Sequence, residues 1–195
     1  MDQKEVAAFF DRLSKDWDAG MVRNEKVIAA ILDNAEVRAG ADVLDVACGT
    51  GVLIPDYLSR GAGSILGIDL SPGMIGIAKE KFAGEASVSF MTGDAAAVDF
   101  GKAFDCIMVY NALPHFPDPD ALVRHLSGFL KPGGTLTVAH GASREKIIRH
   151  HDNASRVSVE LPQAYDLARV FEKYMKVSVV ISDKNMYEVT GIKEE

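Results

Sequence analysis

The 195-residue sequence is poor in cysteine, tryptophan and positive charge, and it lacks long apolar runs. Its two cysteines, Cys48 and Cys106, lie far apart and form no Cys-x-x-Cys pair. That excludes a disulfide framework and fits thiols kept reduced. Lys and Arg number 21 against 28 Asp and Glu, a net charge of −7. Nucleic-acid binding needs a basic surface to neutralise phosphates, so no DNA or RNA partner is expected. No apolar run reaches the roughly 20 residues of a membrane span, and no signal peptide precedes the first helical pattern. A cytoplasmic chain without a membrane partner is the expectation. Repeats, low-complexity tracts and linkers are absent as well, so residues 1–195 are expected to form one domain.

The chain has enough apolar residues, 48%, for one good core. Its organising stretch is Val43-Leu-Asp-Val-Ala-Cys-Gly-Thr-Gly51. The apolar start suits one buried strand. Gly49-Thr50-Gly51 then allows a tight turn and close approach to a ligand. An amphipathic stretch follows from Val52 to Arg60, so the glycines sit where a strand feeds a helix and its unpaired N–H groups. Ser64 to Asp69 reads as a second strand ending in a carboxylate. A glycine turn after one strand and an acid after the next is the arrangement that holds a ribose in doubly wound folds. A dinucleotide fingerprint also wants Gly or Ala three residues after Gly51, where this chain has Ile54, and the NAD reading weakens accordingly.

Upstream, Val6, Phe9, Phe10, Leu13 and Trp17 fall at helical spacing over residues 3–17. A second helix is expected from Asn24 to Ala35. The N-terminal segment, residues 1–36, either packs on the sheet rim or forms a movable cover whose Trp17 meets substrate. Downstream, Ser71 and Pro72 start a helix carrying Met74, and Ala86 to Thr92 is a third strand followed by Asp94. Phe104 to Tyr110 is a fourth strand, and a helix with Leu122, Val123, Leu126, Phe129 and Leu130 inward comes next. Lys131-Pro-Gly-Gly134 is expected to reverse the chain before strand five, Thr135 to Ala139. A helix from Ala164 and a terminal hairpin, Val177 to Ile181 and Met186 to Gly191, complete the pattern. Ligands of open parallel sheets bind outside the carboxyl ends of the strands. Tyr110, Asn111 and His115 after strand four, and His140 after strand five, are therefore acceptor-side candidates.

Taken whole, Val43 to Gly51 resembles motif I of the class I S-adenosylmethionine (SAM) methyltransferases, closest to the small-molecule group of ubiquinone and menaquinone biosynthesis. Gly67-Ile-Asp69-Leu-Ser71, Gly93-Asp94-Ala95, Phe104-Asp105 through Asn111 and Leu130 to Gly134 resemble further motifs in the same order, over about residues 40 to 140. Ala47 departs from the first glycine of the motif I loop in many relatives. The resemblance implies an α/β, Rossmann-like doubly wound sheet of seven strands, mostly parallel with an antiparallel C-terminal strand and helices on both faces. It implies SAM as cofactor and methyl transfer to a small-molecule acceptor. Asp45, Ala47, Gly49 and Gly51 would face the methionine part, Asp69 the ribose and Asp94 with Ala95 the adenine edge. Leu70, Met74 and Asn111 complete the cofactor candidates. The rivals are a SAM-binding regulator or metal sensor without turnover, and an NAD-dependent oxidoreductase.

The stretch His140 to His151 resembles no assignable motif. Arg144, Ile148 and His151 share a helix face. His140, Arg144 and one of the paired histidines, His150 or His151, would form an acceptor-binding wall that holds an anionic substrate or takes a proton from it; the alternative is a solvated basic helix. A metal site from His115, His140 and His150 or His151 has no compact ligand spacing, and no metal is expected. Substrate contacts are thus assigned to Trp17, Tyr110, His115, His140, Arg144 and His151, with His115 and His140 as candidate bases. A chain this short leaves either a small acceptor or an active site completed by a second subunit in a homodimer.

Overall fold

The backbone of the protein, a computed structural model describing residues 1–151 and 157–194 without the side chains of 150 and 151, is organised by a seven-stranded sheet. Its strands are β1 (Asp42–Val46), β2 (Ser64–Asp69), β3 (Val88–Thr92), β4 (Phe104–Tyr110), β5 (Leu130–His140), β6 (Lys176–Ser182) and β7 (Tyr187–Ile192). The order is β3-β2-β1-β4-β5-β7-β6. β1 to β5 pair in parallel, and β7 runs antiparallel between β5 and β6. The expected sheet, with its antiparallel C-terminal strand, is the one observed. Strand order reverses between β1 and β4, which opens a crevice at their carboxyl ends.

The helices are α1 (Gln3–Leu13), α2 (Glu25–Asn34), α3 (Ile54–Ser59), α4 (Pro72–Lys81), α5 (Pro119–Ser127), α6 (Arg144–His151) and α7 (Ala164–Phe171). Side chains alternate along a strand, so each strand feeds two cores. Val43, Cys106 and Met108 join Ile28, Ile31 and Leu32 of α2 and Ile54 and Tyr57 of α3. Leu44, Val46, Ile107 and Val109 join Leu122 and Leu126 of α5 and Leu167 and Phe171 of α7. Helix starts are capped as their sequences demand: Asn24 accepts from Val27 N, Ser71 from Met74 N and Asp118 from Ala121 N. Among the described residues, no helix is long and apolar enough to cross a membrane.

Three expectations are corrected. The N-terminal helix ends at Leu13 rather than Trp17, and two 3-10 turns, Ser14–Asp16 and Asp18–Gly20, follow. Ser14 Oγ donates to the Asp11 carbonyl at 2.9 Å, a bond that competes with helix continuation. Phe129 and Leu130 lie beyond α5, with Leu130 opening β5. Lys131 to Gly134 does not reverse the chain. Leu130 pairs with Phe104 and Thr135 with Cys106, so these four residues bulge from β5 opposite Asp105 alone. Gly133 takes φ +75° there, and Lys131 Nζ pins the bulge to Asp42 and Asp105 at 2.7 and 2.8 Å.

Candidate active site

A cleft of about 430 Å³ lies at the carboxyl ends of β1, β2 and β4, beneath the N-terminal segment. Its floor is the turn leaving β1. Ala47, Gly49 and Gly51 have φ of +54°, +56° and +83°. An alanine in that region costs about 1–2 kcal/mol. The loop spends its own amides on holding this shape: Cys48 N donates to Ile68 O at 3.1 Å and Gly51 N to Cys48 O at 2.9 Å. Gly49 N donates to Asp69 Oδ2 at 2.9 Å, and Ser71 N to Asp69 Oδ1 at 2.8 Å. The acid at the end of β2 therefore ties the glycine loop to the start of α4 while lining the cleft. Burial pushes its carboxyl above the ordinary range, and the two amides pull it partly back.

Asp45 also lines the cleft and is 2% exposed. Burial pushes its carboxyl up to about 7, the Tyr57 hydroxyl donating at 3.3 Å opposes this, and neighbouring Asp69 adds to it. Leu70, Met74, Gly93 and Ala95 give the β2–β3 side an apolar slot. Asp94 stands just outside it, on a smaller adjoining cavity that shares Val6, Leu70, His115 and Phe116. Its carboxylate accepts from Ala96 N at 2.9 Å and from Gln3 Nε2.

Tyr110, Asn111 and His115 form the β4 side. Asn111 sits at φ +54°, with Oδ1 accepting from Gly141 N at 2.9 Å. His115 Nδ1 donates to the Val157 carbonyl at 2.7 Å, since a carbonyl can only accept. The neutral ring therefore keeps its basic lone pair on Nε2. Phe10 packs edge-on against His115 at 4.9 Å and against Trp17 at 5.7 Å, and both Phe10 and Trp17 line the cleft. The N-terminal segment is fastened to the loops it covers. Asp11 accepts from Ser71 Oγ at 2.5 Å and Gly73 N at 2.8 Å, and Asp18 from Thr50 Oγ1 at 2.5 Å and Lys81 Nζ at 2.6 Å.

The structure thus gathers Asp45, Ala47, Gly49, Asp69, Leu70, Met74, Ala95, Tyr110, Asn111, His115 and Trp17 around one cleft. Four expected residues are not in its lining. Gly51 faces the core, where an added Cβ would stand 2.6 Å from Phe82. Asp94 is one cavity away. His140 is 1% exposed and packs edge-on against Tyr187 at 5.8 Å. Arg144 donates to the Leu161 and Pro162 carbonyls at 2.8 and 3.2 Å and to Glu160 at 2.7 Å. The side chain of His151 lies outside the described residues, as does that of His150, which the metal alternative also needs. Among the described residues no three metal-ligating side chains converge. In place of the acceptor wall, Arg144 fastens a segment whose upstream end buttresses His115: Val157 binds its ring and Val159 N donates to Pro114 O at 2.7 Å. Phe10, Tyr57, Asp11, Asp18 and Val157 were not singled out as site residues. Only Phe10 had a signal, its place in the Trp17 stripe.

A family model described as a methyltransferase domain matches residues 43–134. Malonyl-[acyl-carrier protein] O-methyltransferase of Acetivibrio thermocellus is 31% identical over 139 residues, 70% of this chain and 49% of its own length. Demethylmenaquinone methyltransferase of Renibacterium salmoninarum is 30% identical over 141 residues, 69% of this chain and 58% of its own. The chain therefore spans about half the length of the curated relatives it matches. N-methyltransferase NodS of Bradyrhizobium japonicum WM9, solved with S-adenosylhomocysteine, superposes with a TM-score of 0.77 at 16% identity, over 97% of this chain and 99% of NodS. Residues 43–134 thus match a methyltransferase domain, and the whole chain has the seven-stranded fold of NodS.

Proposed function

We propose that the protein transfers a methyl group from SAM to a small, uncharged acceptor. One observation carries the proposal: two buried acids and a left-handed glycine turn meet an apolar slot in a single cleft at the strand tips. These residues fit the cofactor. Asp69 has spare lone pairs for ribose hydroxyls beyond those its two amides use. Leu70, Met74 and Ala95 offer apolar walls to a planar base, with Asp94 next to them. Asp45 offers a carboxylate to positive charge. Bound SAM supplies a methyl already activated by its sulfonium. The chain's part is alignment and exclusion of water, and positioning of that kind supplies roughly 7–11 kcal/mol in favourable cases.

The acceptor's charge follows from the walls. The cleft is lined by Asp16, Asp45 and Asp69 and, among the described residues, by no Lys or Arg. An anionic acceptor would meet repulsion there, so the expected use of Arg144 for an anion is not carried forward. His115 is the proposed base for an acceptor that must lose a proton. His140, buried against Tyr187, is assigned to the core instead. Phe10 and Trp17 of the same chain close the cleft, which supports residues 1–36 as its cover and makes a second subunit unnecessary. A homodimer would then be incidental to catalysis, and light scattering of the purified protein tests for it. A cytoplasmic location stays part of the proposal.

Calorimetry is expected to give binding of SAM and S-adenosylhomocysteine and none of NAD. The reverse pattern would return the chain to the oxidoreductases. Binding without turnover over a broad acceptor panel would favour the regulator. For an acceptor that loses a proton, His115→Ala is expected to slow turnover about 10²–10⁴-fold while leaving S-adenosylhomocysteine affinity in place. An unchanged rate removes His115 from the chemistry.

A further inference from the structure

The SAM reading raises a question of charge that the cleft answers in an unusual way. The cofactor's amino-acid end carries a carboxylate. Yet the lining holds three acids and, among the described residues, no cationic side chain. The glycine loop cannot supply the amides of Cys48, Gly49 and Gly51, because they donate to Ile68, Asp69 and Cys48. Asn111 accepts from Gly141 N through Oδ1, and its side chain is also hydrogen-bonded to Tyr110. A strong donor stands over this floor. Trp17 Nε1 lies 3.8 Å from where a Cβ on Gly49 would stand, and no hydrogen bond from it is formed among the described residues.

We propose that Trp17 is a cofactor-binding residue, and that its indole N–H donates to the α-carboxylate of the SAM amino-acid end. The inference rests on the SAM reading and changes the part expected of Trp17, from touching acceptor to touching cofactor. The residue is well placed to hold such a bond. Its ring is braced edge-on by Phe10 at 5.7 Å with an interplanar angle of 76°. The next residue, Asp18, is anchored to Thr50 Oγ1 of the glycine loop and to Lys81 Nζ. The donor thus rides on the segment that covers the cleft while standing over the loop that forms its floor. Covering the site and gripping the cofactor become one event, in which an indole replaces the missing cation.

Two ligands separate this role from simple packing. S-adenosylhomocysteine carries the amino-acid end, and 5′-methylthioadenosine is the same nucleoside without it. Trp17→Phe keeps an aromatic ring against Phe10 and removes the N–H together with the five-membered ring, so the difference between the two ligands isolates the bond. A hydrogen bond to a charged group contributes enough for a ten- to hundredfold loss when removed. Calorimetry is therefore expected to show Trp17→Phe binding S-adenosylhomocysteine at least about tenfold more weakly, with 5′-methylthioadenosine unchanged. Equal loss for both ligands, or no loss for either, overturns the inference while leaving the SAM reading standing. Failure of the wild-type protein to bind both ligands overturns the SAM reading and this inference with it. A second readout needs no variant. Trp17 is the one tryptophan of the chain, so ¹⁵N-labelled wild-type protein gives a single indole N–H resonance. S-adenosylhomocysteine is expected to move it downfield and 5′-methylthioadenosine to leave it nearly in place. Identical shifts with the two ligands count against the bond.

Discussion

Asp69→Ala is expected to abolish measurable SAM binding, the largest functional effect of any single substitution in the cleft. The side chain does two things at once. In the proposed function its oxygens take the ribose hydroxyls, and they already accept from Gly49 N and Ser71 N at 2.9 and 2.8 Å. Alanine removes the ribose acceptor and orphans two amides that hold the floor of the cleft. Each orphaned buried donor costs about 1–3 kcal/mol. The loop carries φ values near +54° to +83° at residues 47, 49 and 51 and has little reason to keep them once untied. Loss of contact and loss of preorganisation together exceed about 3 kcal/mol, more than a hundredfold in affinity. Asp69→Asn keeps one acceptor oxygen and is expected to fall between the two. Calorimetry with S-adenosylhomocysteine, beside thermal melts to score folding, makes the comparison. Alanine and wild-type proteins of equal affinity would show that the ribose lies elsewhere.

That double duty of Asp69 marks how far the residues alone could be read. A carboxylate eighteen residues after Gly51, at the end of a predicted strand, is legible as a candidate ribose acid because its chemistry and spacing are local features. Its use as a tie for Gly49 and Ser71 depends on β1 and β2 lying side by side, which spacing does not state. The strands were legible for a related reason. Runs such as Ser64–Asp69 and Phe104–Tyr110 are short and apolar and are bounded by turn residues. Pro-Gly-Gly within Lys131–Gly134 signals a turn, and the pairing of Leu130 with Phe104 overrides that signal and makes it a bulge in β5.

The acceptor side was less legible, and histidine shows why. His115 and His140 both follow strands and looked equivalent as rim residues. Their difference is tertiary. Phe10 and the Val157 carbonyl hold His115 at the cleft, while His140 turns into the core against Tyr187. Arg144 looked like an anion-binding side chain on an exposed helix face. The carbonyls of Leu161 and Pro162, seventeen and eighteen residues onward, claim it instead. Contacts of the N-terminal segment were hidden in the same way. Asp11 lies 60 residues from Ser71 and Asp18 lies 32 from Thr50, so no local pattern could announce either fastening.

Glu188→Gln is expected to give the largest gain in stability, and only at neutral to alkaline pH. Glu188 is wholly buried in β7, where Asn34 Nδ2 donates to it at 2.9 Å and Thr190 Oγ1 at 3.2 Å. No cation answers its charge in those contacts. Burial pushes the carboxyl from its ordinary 4.5 up to about 7, against the pull of the two hydrogen bonds. A carboxyl that grips its proton more tightly when folded stabilises the fold at low pH. That contribution is complete below about 4.5 and is lost as pH rises through about 7. The loss is on the order of 3 kcal/mol. Glutamine keeps the shape and carries no charge, so the variant should melt roughly 5–10 °C above wild type at pH 8 and close to it at pH 4.5. Asp45, raised to about 7 by the same cause, leaves the variant with a residual slope of the same sign. A positive cofactor beside Asp45 should expel that proton and flatten the remainder. Asp42, held well below the carboxylate range by Lys131, acts with the opposite sign and only in strong acid, so the two windows do not overlap. Coincident melting curves for Glu188→Gln and wild type at pH 8 would mean that the buried acid carries its charge at no cost.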